Sequence, residues 1–171
     1  MNHSHSRQST VPFQWPCPPL QVALVEPEIP PNTGTIARLC AATQSPLHLV
    51  GHLGFRITNA QLRRAGLDYW ESVDVVRHPT LPEFEAALTG QRAFFFSTRG
   101  QTLYSAATYR PGDFLVFGPE SKGLPDDLLD RHASDILTIP MHTIHVRSLN
   151  LATAVGIVLY EALRQINARS S

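Results

Sequence analysis

Short apolar runs that alternate with segments of helical spacing constrain the fold of this chain more than any other feature. Two of these runs are 92–98, which contains three consecutive phenylalanines, and 113–117. Strands of a parallel sheet that is covered on both faces have continuous apolar sequences, so both segments predict central strands. Strands that alternate with helices indicate an α/β fold with a mainly parallel sheet flanked by helices.

The same two periodicities predict the remaining elements. We expect further strands at 20–25, 47–50, 73–76 and 136–139, and helices at 35–43, 59–65, 80–90 and 149–166. Thr80 and Glu83 have the spacing of a capping box, which predicts a helix start at Thr80. The proline-containing stretch 26–31 indicates a loop, and 100–112 is the most turn-like internal stretch.

The predicted terminal helix is apolar on more than one side. One stripe contains Leu151, Ala154, Val155, Val158, Leu159 and Ala162, while Ile157 and Leu163 add apolar surface elsewhere. A helix that is apolar beyond one stripe is usually covered by more than its own sheet. A homodimer interface and a central position in the core of one chain both explain this pattern, and we favour the homodimer.

Length and composition favour a single domain in a reduced compartment. Residues 1–19 are polar and then proline-rich, so we expect a disordered N-terminal extension followed by one domain over 20–171. The two cysteines, Cys17 and Cys40, match no metal or redox spacing, so we expect no metal and a cytoplasmic location. No run approaches the roughly 20 apolar residues of a membrane span. Because 14 basic residues balance 14 acidic ones, global charge does not indicate a nucleic-acid partner.

Two segments in the C-terminal half combine glycine, proline and polar residues where a predicted strand ends. The first is Phe117–Pro125, which contains Glu120 and Lys122, and the second joins 139–141 to 147–152. Open α/β sheets bind ligands at the carboxyl ends of their strands. Exposed backbone groups and charged side chains together predict a nucleotide-like ligand at these segments.

Three motifs occur in a fixed order along the chain. They are Pro27-Glu-Ile-Pro-Pro-Asn-Thr-Gly34 with Arg38, then Phe117-Gly-Pro-Glu-Ser-Lys-Gly-Leu-Pro125, then Ile139-Pro-Met141 with Arg147-Ser-Leu-Asn150. Their order and spacing resemble those of the SPOUT, or α/β-knot, RNA 2′-O-methyltransferases. Residues 62–69 further resemble the small TrmL-type subgroup, which methylates the wobble nucleotide of leucine tRNAs. The resemblance covers about 20–165, and three motifs in register are more specific than any one alone.

This resemblance implies S-adenosylmethionine as methyl donor, tRNA as substrate and a homodimer that builds its substrate site from two subunits. It also implies that the C-terminal strands and helix thread into a trefoil knot. The expected product is a 2′-O-methylated wobble ribose, on cytidine or modified uridine, in leucine tRNAs. Matched position by position, the family's cofactor contacts fall on Phe96, Gly118, Ile139 and Ser148.

The resemblance also marks five residues for the chemistry: Arg38, Asn32, Glu120, Ser148 and Asn150. In the family, the arginine of the first motif is proposed to activate the 2′-hydroxyl, and the asparagine helps to organise the site. Because a guanidinium stays protonated in nearly all settings, Arg38 could instead stabilise the developing alkoxide or orient a phosphate. Taken singly, Asn32 is explained by a helix-start turn and Asn150 by an N-cap. Their joint occurrence in register favours a functional role.

Four cationic residues are candidates for contacts with the tRNA: Arg63, Arg64, Lys122 and Arg147. Two adjacent arginines on a short helix are more often a solvated face, and Lys122 could form a solvated loop pair with Glu120. Tyr69 and Trp70 are candidates for stacking on an anticodon base, although core packing explains them at least as well.

One segment departs from the family pattern. Residues 142–146 read His-Thr-Ile-His-Val and are one residue longer than the usual turn, and we treat His142 and His145 as loop residues.

Three alternative functions remain. A nicotinamide-dependent reductase has little support, because no Gly-x-Gly-x-x-Gly follows the first strand. The others are a 2′-O-methyltransferase for another tRNA position or for rRNA, and a catalytically inactive RNA-binding knot protein.

Overall fold

A computed structural model of the protein describes residues 11–55, 70–142 and 145–170. Within these residues, seven strands form one sheet. The strands are β1 Gln21–Val25, β2 Leu47–Val50, β3 Val75–His78, β4 Ala93–Phe96, β5 Thr102–Leu103, β6 Phe114–Phe117 and β7 Ile136–Thr138. Every pair of neighbouring strands runs parallel, which confirms the predicted fold class.

The strand order brings distant parts of the chain side by side. Across the sheet it is β3-β2-β1-β6-β4-β7-β5. β6 lies between β1 and β4, so that Val22 is opposite Leu115 and Phe96 is opposite Phe117. β7 lies between β4 and β5, with Leu137 opposite Phe96. Because the strands are parallel, the carboxyl ends of β1, β6, β4 and β7 meet at one end of the sheet.

Helices cover both faces of the sheet. In the described part of the chain they are α1 Pro30–Thr43, α2 Leu81–Ala87, α3 Asp126–Arg131 and α4 Leu151–Ser170, with short 3₁₀ turns at Trp70–Ser72, Tyr104–Ala106 and Ala133–Asp135. α1 and α4 pack on one face, and α2 and α3 pack on the other. Successive strand residues point to opposite faces, so the uninterrupted apolar runs of β1 and β6 contribute to both apolar clusters.

The first helix begins at Pro30 and not at Thr35, where the sequence pattern places its start. Proline is favoured in the first helical turn, because its missing N–H would have no intrahelical partner there and its φ angle suits a helix. The two prolines therefore begin the helix and do not belong to the preceding loop. As a consequence, Asn32 lies in the first turn of α1.

Most of the other elements lie close to their predicted positions. β3 begins two residues later than expected, at Val75. Thr80 caps α2, and its hydroxyl accepts a hydrogen bond from the Glu83 N–H at 3.3 Å. β5 falls within the stretch that we predicted as turn-like, because a strand of two residues is too short to show a periodicity. The predicted helix at 59–65 lies outside the described residues.

The segment 11–19 packs against the domain, which differs from the disordered tail that we expected over 1–19. Phe13 packs against the apolar cluster under α1 and α4. The Gln14 N–H donates a hydrogen bond to Asn167 Oδ1 in α4 at 2.9 Å. Aromatic burial and this hydrogen bond offset the conformational entropy lost by the segment. Residues 1–10 lie outside the described residues.

The terminal helix α4 buries most of its apolar stripe within its own chain. Val155, Val158 and Leu159 are fully buried there, and Leu163 on another side is buried too. This packing agrees with a central position in the core of one chain. Tyr160, on the side of α4 that faces away from the core, is 51% exposed. In the described part of the chain, neither α4 nor any other helix is long and apolar enough to cross a membrane.

Candidate active site

A cleft opens at the end of the sheet where β1, β4, β6 and β7 finish. Its volume is about 590 Å³, which is within the usual range for ligand pockets. Its lining comes from the start of α1, the loops after β4, β6 and β7, and the first turn of α4. The cleft therefore brings together residues of all three sequence motifs, although Asn32 and Asn150 are 118 positions apart in the chain.

The base of the cleft is aromatic and closely packed. Phe96 and Phe117 stack there, with ring centroids 4.7 Å apart and planes inclined by 13°. Beside them, Gly118 has no room for a side chain, because a Cβ atom at this position would lie 2.3 Å from backbone atoms of Gly123 and Leu124. The base thus offers an apolar surface next to accessible backbone groups, which is a suitable combination for a flat heterocycle.

A chain of hydrogen bonds joins the three motifs. Asn32 Nδ2 donates to Glu120 Oε1 at 3.0 Å, and Asn150 Nδ2 donates to Asn32 Oδ1 at 2.9 Å. Asn150 Oδ1 also accepts from the Thr153 N–H at 3.2 Å and so caps α4. Asn150 therefore has the capping role that its sequence position indicates and, in addition, a contact within the site.

Two carboxylates fasten the loop after β1 to the loop after β6. Glu120 accepts hydrogen bonds from the N–H groups of Glu28 at 2.8 Å and Ile29 at 3.1 Å. The Glu28 carboxylate accepts from the Ser121 N–H at 3.0 Å and from the Ser121 hydroxyl at 2.7 Å. Because both oxygens of Glu120 bind donors of the chain, the geometry favours a positioning role for Glu120 over that of a proton acceptor.

The cleft contains most of the residues that the sequence marked for the site. The four expected cofactor contacts line it, namely Phe96, Gly118, Ile139 and Ser148. Asn32, Glu120 and Asn150 also line it, as do the candidate substrate contacts Lys122 and Arg147. The other two candidates, Arg63 and Arg64, lie outside the described residues.

Arg38 does not line the cleft of its own chain. It is exposed on α1, six residues after Asn32, which places it about 9 Å further along the helix axis. Six residues also rotate a side chain by roughly 240° around a helix, so Arg38 and Asn32 point in different directions. A catalytic contact of Arg38 therefore requires either a second copy of the chain or a substrate that extends beyond this cleft.

The loop after β4 contributes residues that sequence analysis did not single out. Ser97, Thr98 and Arg99 line the cleft, and the Arg99 guanidinium forms an ion pair with Asp126 at the start of α3. The position of this loop could have revealed them, because it follows a predicted central strand, and ligands bind at the carboxyl ends of such strands. Arg99 adds a third cation to Lys122 and Arg147 in the lining. These cations suit anionic groups such as phosphates.

The chain is similar in sequence to named proteins over most of its length. The profile of the SpoU rRNA methylase family matches residues 19–160. The tRNA (cytidine(34)-2'-O)-methyltransferase of Escherichia coli (strain K12) is 48% identical over 148 residues, which cover 86% of this chain and 94% of the relative.

Solved structures share the fold. One, from work giving structural insights into the 2-OH methylation of C/U34 on tRNA, superposes with a TM-score of 0.80 at 50% identity and covers 85% of this chain and 95% of its own. The AdoMet-bound rRNA methyltransferase from Sinorhizobium meliloti superposes with a TM-score of 0.75 at 29% identity and covers 85% of this chain and 56% of its own. The first match extends over nearly the whole of the other chain, so the similarity is not limited to the motifs.

Proposed function

The chain belongs to the SpoU rRNA methylase family, and from this membership we propose that it transfers a methyl group from S-adenosylmethionine to the 2′-hydroxyl of the wobble ribose of tRNA. The observation that carries the proposal is the meeting of all three motifs in one cleft. The similarity to an enzyme named for position 34 of tRNA, over 94% of that enzyme's length, supports the substrate. We further propose that the nucleotide is cytidine or modified uridine in leucine tRNAs, and that the reaction takes place in the cytoplasm.

The cleft suits S-adenosylmethionine in size and chemistry. Phe96 and Phe117 form an apolar base, and Gly118 lets the loop after β6 pack closely on itself beside them, where a side chain would collide with the backbone of Gly123 and Leu124. In this proposal Phe96, Gly118, Ile139 and Ser148 hold the cofactor. A structure of the same fold contains bound AdoMet, which supports the choice of cofactor.

Bound S-adenosylmethionine supplies an electrophilic methyl group: the ribose oxygen bonds to it as the carbon–sulfur bond breaks, the sulfur keeps the electron pair, and the oxygen loses its proton. The protein has to align the two reacting atoms. Asn32, Glu120 and Asn150 hold the walls of the cleft in place through their hydrogen bonds. Arg38 stabilises the charge that develops on the ribose oxygen while the proton passes to water, because a guanidinium remains protonated in nearly all settings.

We propose that the active form is a homodimer. The position of Arg38 supports this, since it lies outside the cleft of its own chain, and a second copy can supply it. The mass of the protein in solution tests the proposal directly. A monomer at micromolar concentration would exclude a site shared between subunits.

We also propose that the C-terminal part of the chain forms a trefoil knot. The strand order supports it, because β6 and β7 each lie between strands that precede them in the sequence. The test compares the folding rates of two newly synthesised, unfolded chains: the natural chain and a circularly permuted variant that folds without threading. We expect the natural chain to fold more slowly.

The experiment that tests the function is methyl transfer from labelled S-adenosylmethionine to total tRNA, followed by mapping of the modified nucleotide. We expect a 2′-O-methyl group at the first anticodon position of leucine tRNAs. Methylation of another tRNA position or of rRNA would keep the chemistry and refute the substrate. Cofactor binding without transfer to any RNA would instead favour the inactive RNA-binding protein.

A further inference from the structure

Two loops at the mouth of the cleft bind each other reciprocally. The first loop is 26–29 and the second is 118–125. In the second loop, the Glu120 carboxylate accepts hydrogen bonds from backbone N–H groups of the first loop. In the first loop, the Glu28 carboxylate accepts two hydrogen bonds from Ser121. We call the two hydrogen bonds between Glu28 and Ser121 the Glu28 contact. This contact uses both oxygens of one carboxylate, at 2.7 and 3.0 Å, and hydrogen bonds to ionised groups are stronger than those between neutral groups.

The second loop is closely packed at its two ends and exposed at its tip. At the ends, Gly118 packs directly against the backbone of Gly123 and Leu124, and Leu124 is 2% exposed. At the tip, Ser121 and Lys122 are exposed, and both line the cleft. Packing therefore holds the ends of the loop, whereas the tip depends on hydrogen bonds for its position.

Glu28 itself does not line the cleft, while its partner Ser121 does. We propose that Glu28 is a positioning residue that holds the tip of loop 118–125 in the shape that binds S-adenosylmethionine. This inference rests on the proposed function for the identity of the ligand. It assigns Glu28 a role in cofactor affinity that is exerted through Ser121 and not through contact with the reacting atoms.

Apolar packing anchors the segments on both sides of the second loop. Leu128 and Leu129, which follow the second loop, are buried in the cluster under α2 and α3, and β6 before the loop is buried along its whole length. Removing the contact should therefore loosen the tip and leave the domain folded. A merely structural role would instead lower thermal stability and cofactor affinity together.

The test compares Glu28→Ala with Glu26→Ala, a matched loss of a carboxylate from the same loop, at a position where the side chain is exposed. Calorimetry measures the Kd for S-adenosylmethionine, and hydrogen exchange measures the opening of the peptide that contains Ser121. We expect Glu28→Ala to weaken cofactor binding about tenfold, a loss comparable to that of one or two hydrogen bonds. It should also speed exchange at 118–125, with the melting temperature nearly unchanged. Glu26→Ala should leave all three quantities at their wild-type values.

Two further variants keep the inference testable if Glu28→Ala does not fold. Glu28→Gln retains an acceptor for the Ser121 N–H and should restore part of the affinity. Ser121→Ala removes only the hydroxyl donor and should weaken binding by about threefold, less than loss of the whole contact. In the Glu28→Ala background, Ser121→Ala should add no further loss, because the two groups act as a pair.

Wild-type affinity in a folded Glu28→Ala protein would overturn the inference, as would wild-type affinity in both Glu28→Gln and Ser121→Ala when Glu28→Ala is unfolded. A loss of affinity that occurs only with a matching loss of thermal stability would overturn it as well. If the wild-type protein does not bind S-adenosylmethionine, the proposed function fails, and the cofactor role of Glu28 fails with it. In that case the exchange experiment still shows whether Glu28 orders the loop tip, so the two failures can be told apart.

Discussion

The hydrogen bonds at the cleft connect loops, whereas a second polar group in the molecule connects strands. That second group consists of Gln21 in β1, His48 in β2 and His78 in β3, and we call it the histidine row. His48 Nδ1 lies 2.9 Å from His78 Nε2, and His48 Nε2 lies 2.9 Å from Gln21 Oε1. The cleft network joins segments more than 80 positions apart beyond the ends of the strands, while the histidine row crosses adjacent parallel strands beneath aromatic side chains.

The histidine row has one consistent arrangement of protons. Gln21 Nε2 donates to the Pro19 carbonyl, so Gln21 Oε1 faces His48 and accepts from its Nε2–H. A neutral His48 then has Nδ1 as an acceptor, and His78 Nε2–H is the donor to it. Protonation of His48 would require His78 to change tautomer, so that His78 Nε2 becomes the acceptor.

The two networks control different properties of the protein. Loop contacts at the cleft determine where ligand-binding groups lie, and the packed faces of the sheet continue to hold the domain if those contacts are lost. The histidine row lies within the sheet, where a charge would be desolvated, so it affects folding stability and its pH dependence. Variants at the cleft should therefore change function more than stability, and variants in the row should do the reverse.

Replacement of Arg38 by alanine should reduce methylation more than any other change considered, while leaving folding stability unaffected. We expect the methylation rate to fall by about 10²–10³-fold, as when a group that stabilises transition-state charge is removed. Cofactor affinity and melting temperature should stay near wild type, because Arg38 is exposed and lies outside the cleft. Arg77→Ala, which removes another exposed arginine, is the control and should remain active. Loss of cofactor binding in a folded Arg38→Ala protein would contradict this assignment of roles.

Gly118→Ala comes next, because the added methyl group would meet backbone atoms that no side-chain movement can clear. We expect S-adenosylmethionine to bind ten- to a hundredfold more weakly, corresponding to about 1.4–2.7 kcal/mol. Calorimetry measures this loss. The matched change Gly156→Ala, in the open interior of α4, should instead raise stability by about 0.5–1 kcal/mol, since alanine favours helices. Equal cofactor affinity in both variants would show that the base of the cleft is not a binding surface.

Asn150→Asp separates the two contacts of this residue. The new side chain keeps an oxygen for the Thr153 N–H, so α4 stays capped, but it cannot donate to Asn32. We expect kcat/KM to fall about tenfold, the equivalent of one hydrogen bond, with stability within about 0.5 kcal/mol of wild type. Steady-state kinetics and thermal unfolding make the comparison. If activity follows the unfolding temperature across Asn150→Asp and Asn150→Ala, the cap is the only role of Asn150.

Variants in the histidine row should affect methylation least, because the row instead gives folding stability a pH dependence. Burial, followed by the nearby His78, lowers the pKa of His48 from 6.5 to about 4, and Asp74 opposes this shift. Burial also lowers the pKa of His78, against the effect of Glu83. Between pH 6.5 and about 4 the unfolded chain takes up protons that the folded row does not, so stability falls as pH falls. The slope for His48 is at most about 1.4 kcal/mol per pH unit.

Urea unfolding at a series of pH values measures this slope. His48→Phe should reduce it, and His52→Gln, a change at an exposed histidine, should preserve it. Methylation at neutral pH should remain close to wild type in His48→Phe wherever the protein is folded. An unchanged slope in His48→Phe would assign the pH dependence to other groups and remove the contrast between the two networks.

Sequence patterns predicted most of the sheet, because buried strands such as 113–117 need apolar residues whatever the rest of the chain does. They failed where an element is short or where proline has two meanings. β5 has two residues, which is too few for a periodicity, and Pro30 begins a helix at a point where proline also suits a loop. The family resemblance marked most of the cleft residues, whereas Arg99 and Glu28 were missed because their roles depend on partners far away in the sequence.

Sequence alone was sufficient for the fold class, the family resemblance and the residues expected at the carboxyl ends of the strands. Local periodicity and motif order are sufficient for these, since both are properties of neighbouring residues. The folded structure was needed to establish which groups are in contact. It shows that Glu28 binds Ser121, that Asn150 binds Asn32 as well as capping α4, and that Arg38 lies outside the cleft of its own chain. Such contacts follow from the order of the strands and the rotation of side chains around helices, which no single segment of the chain specifies.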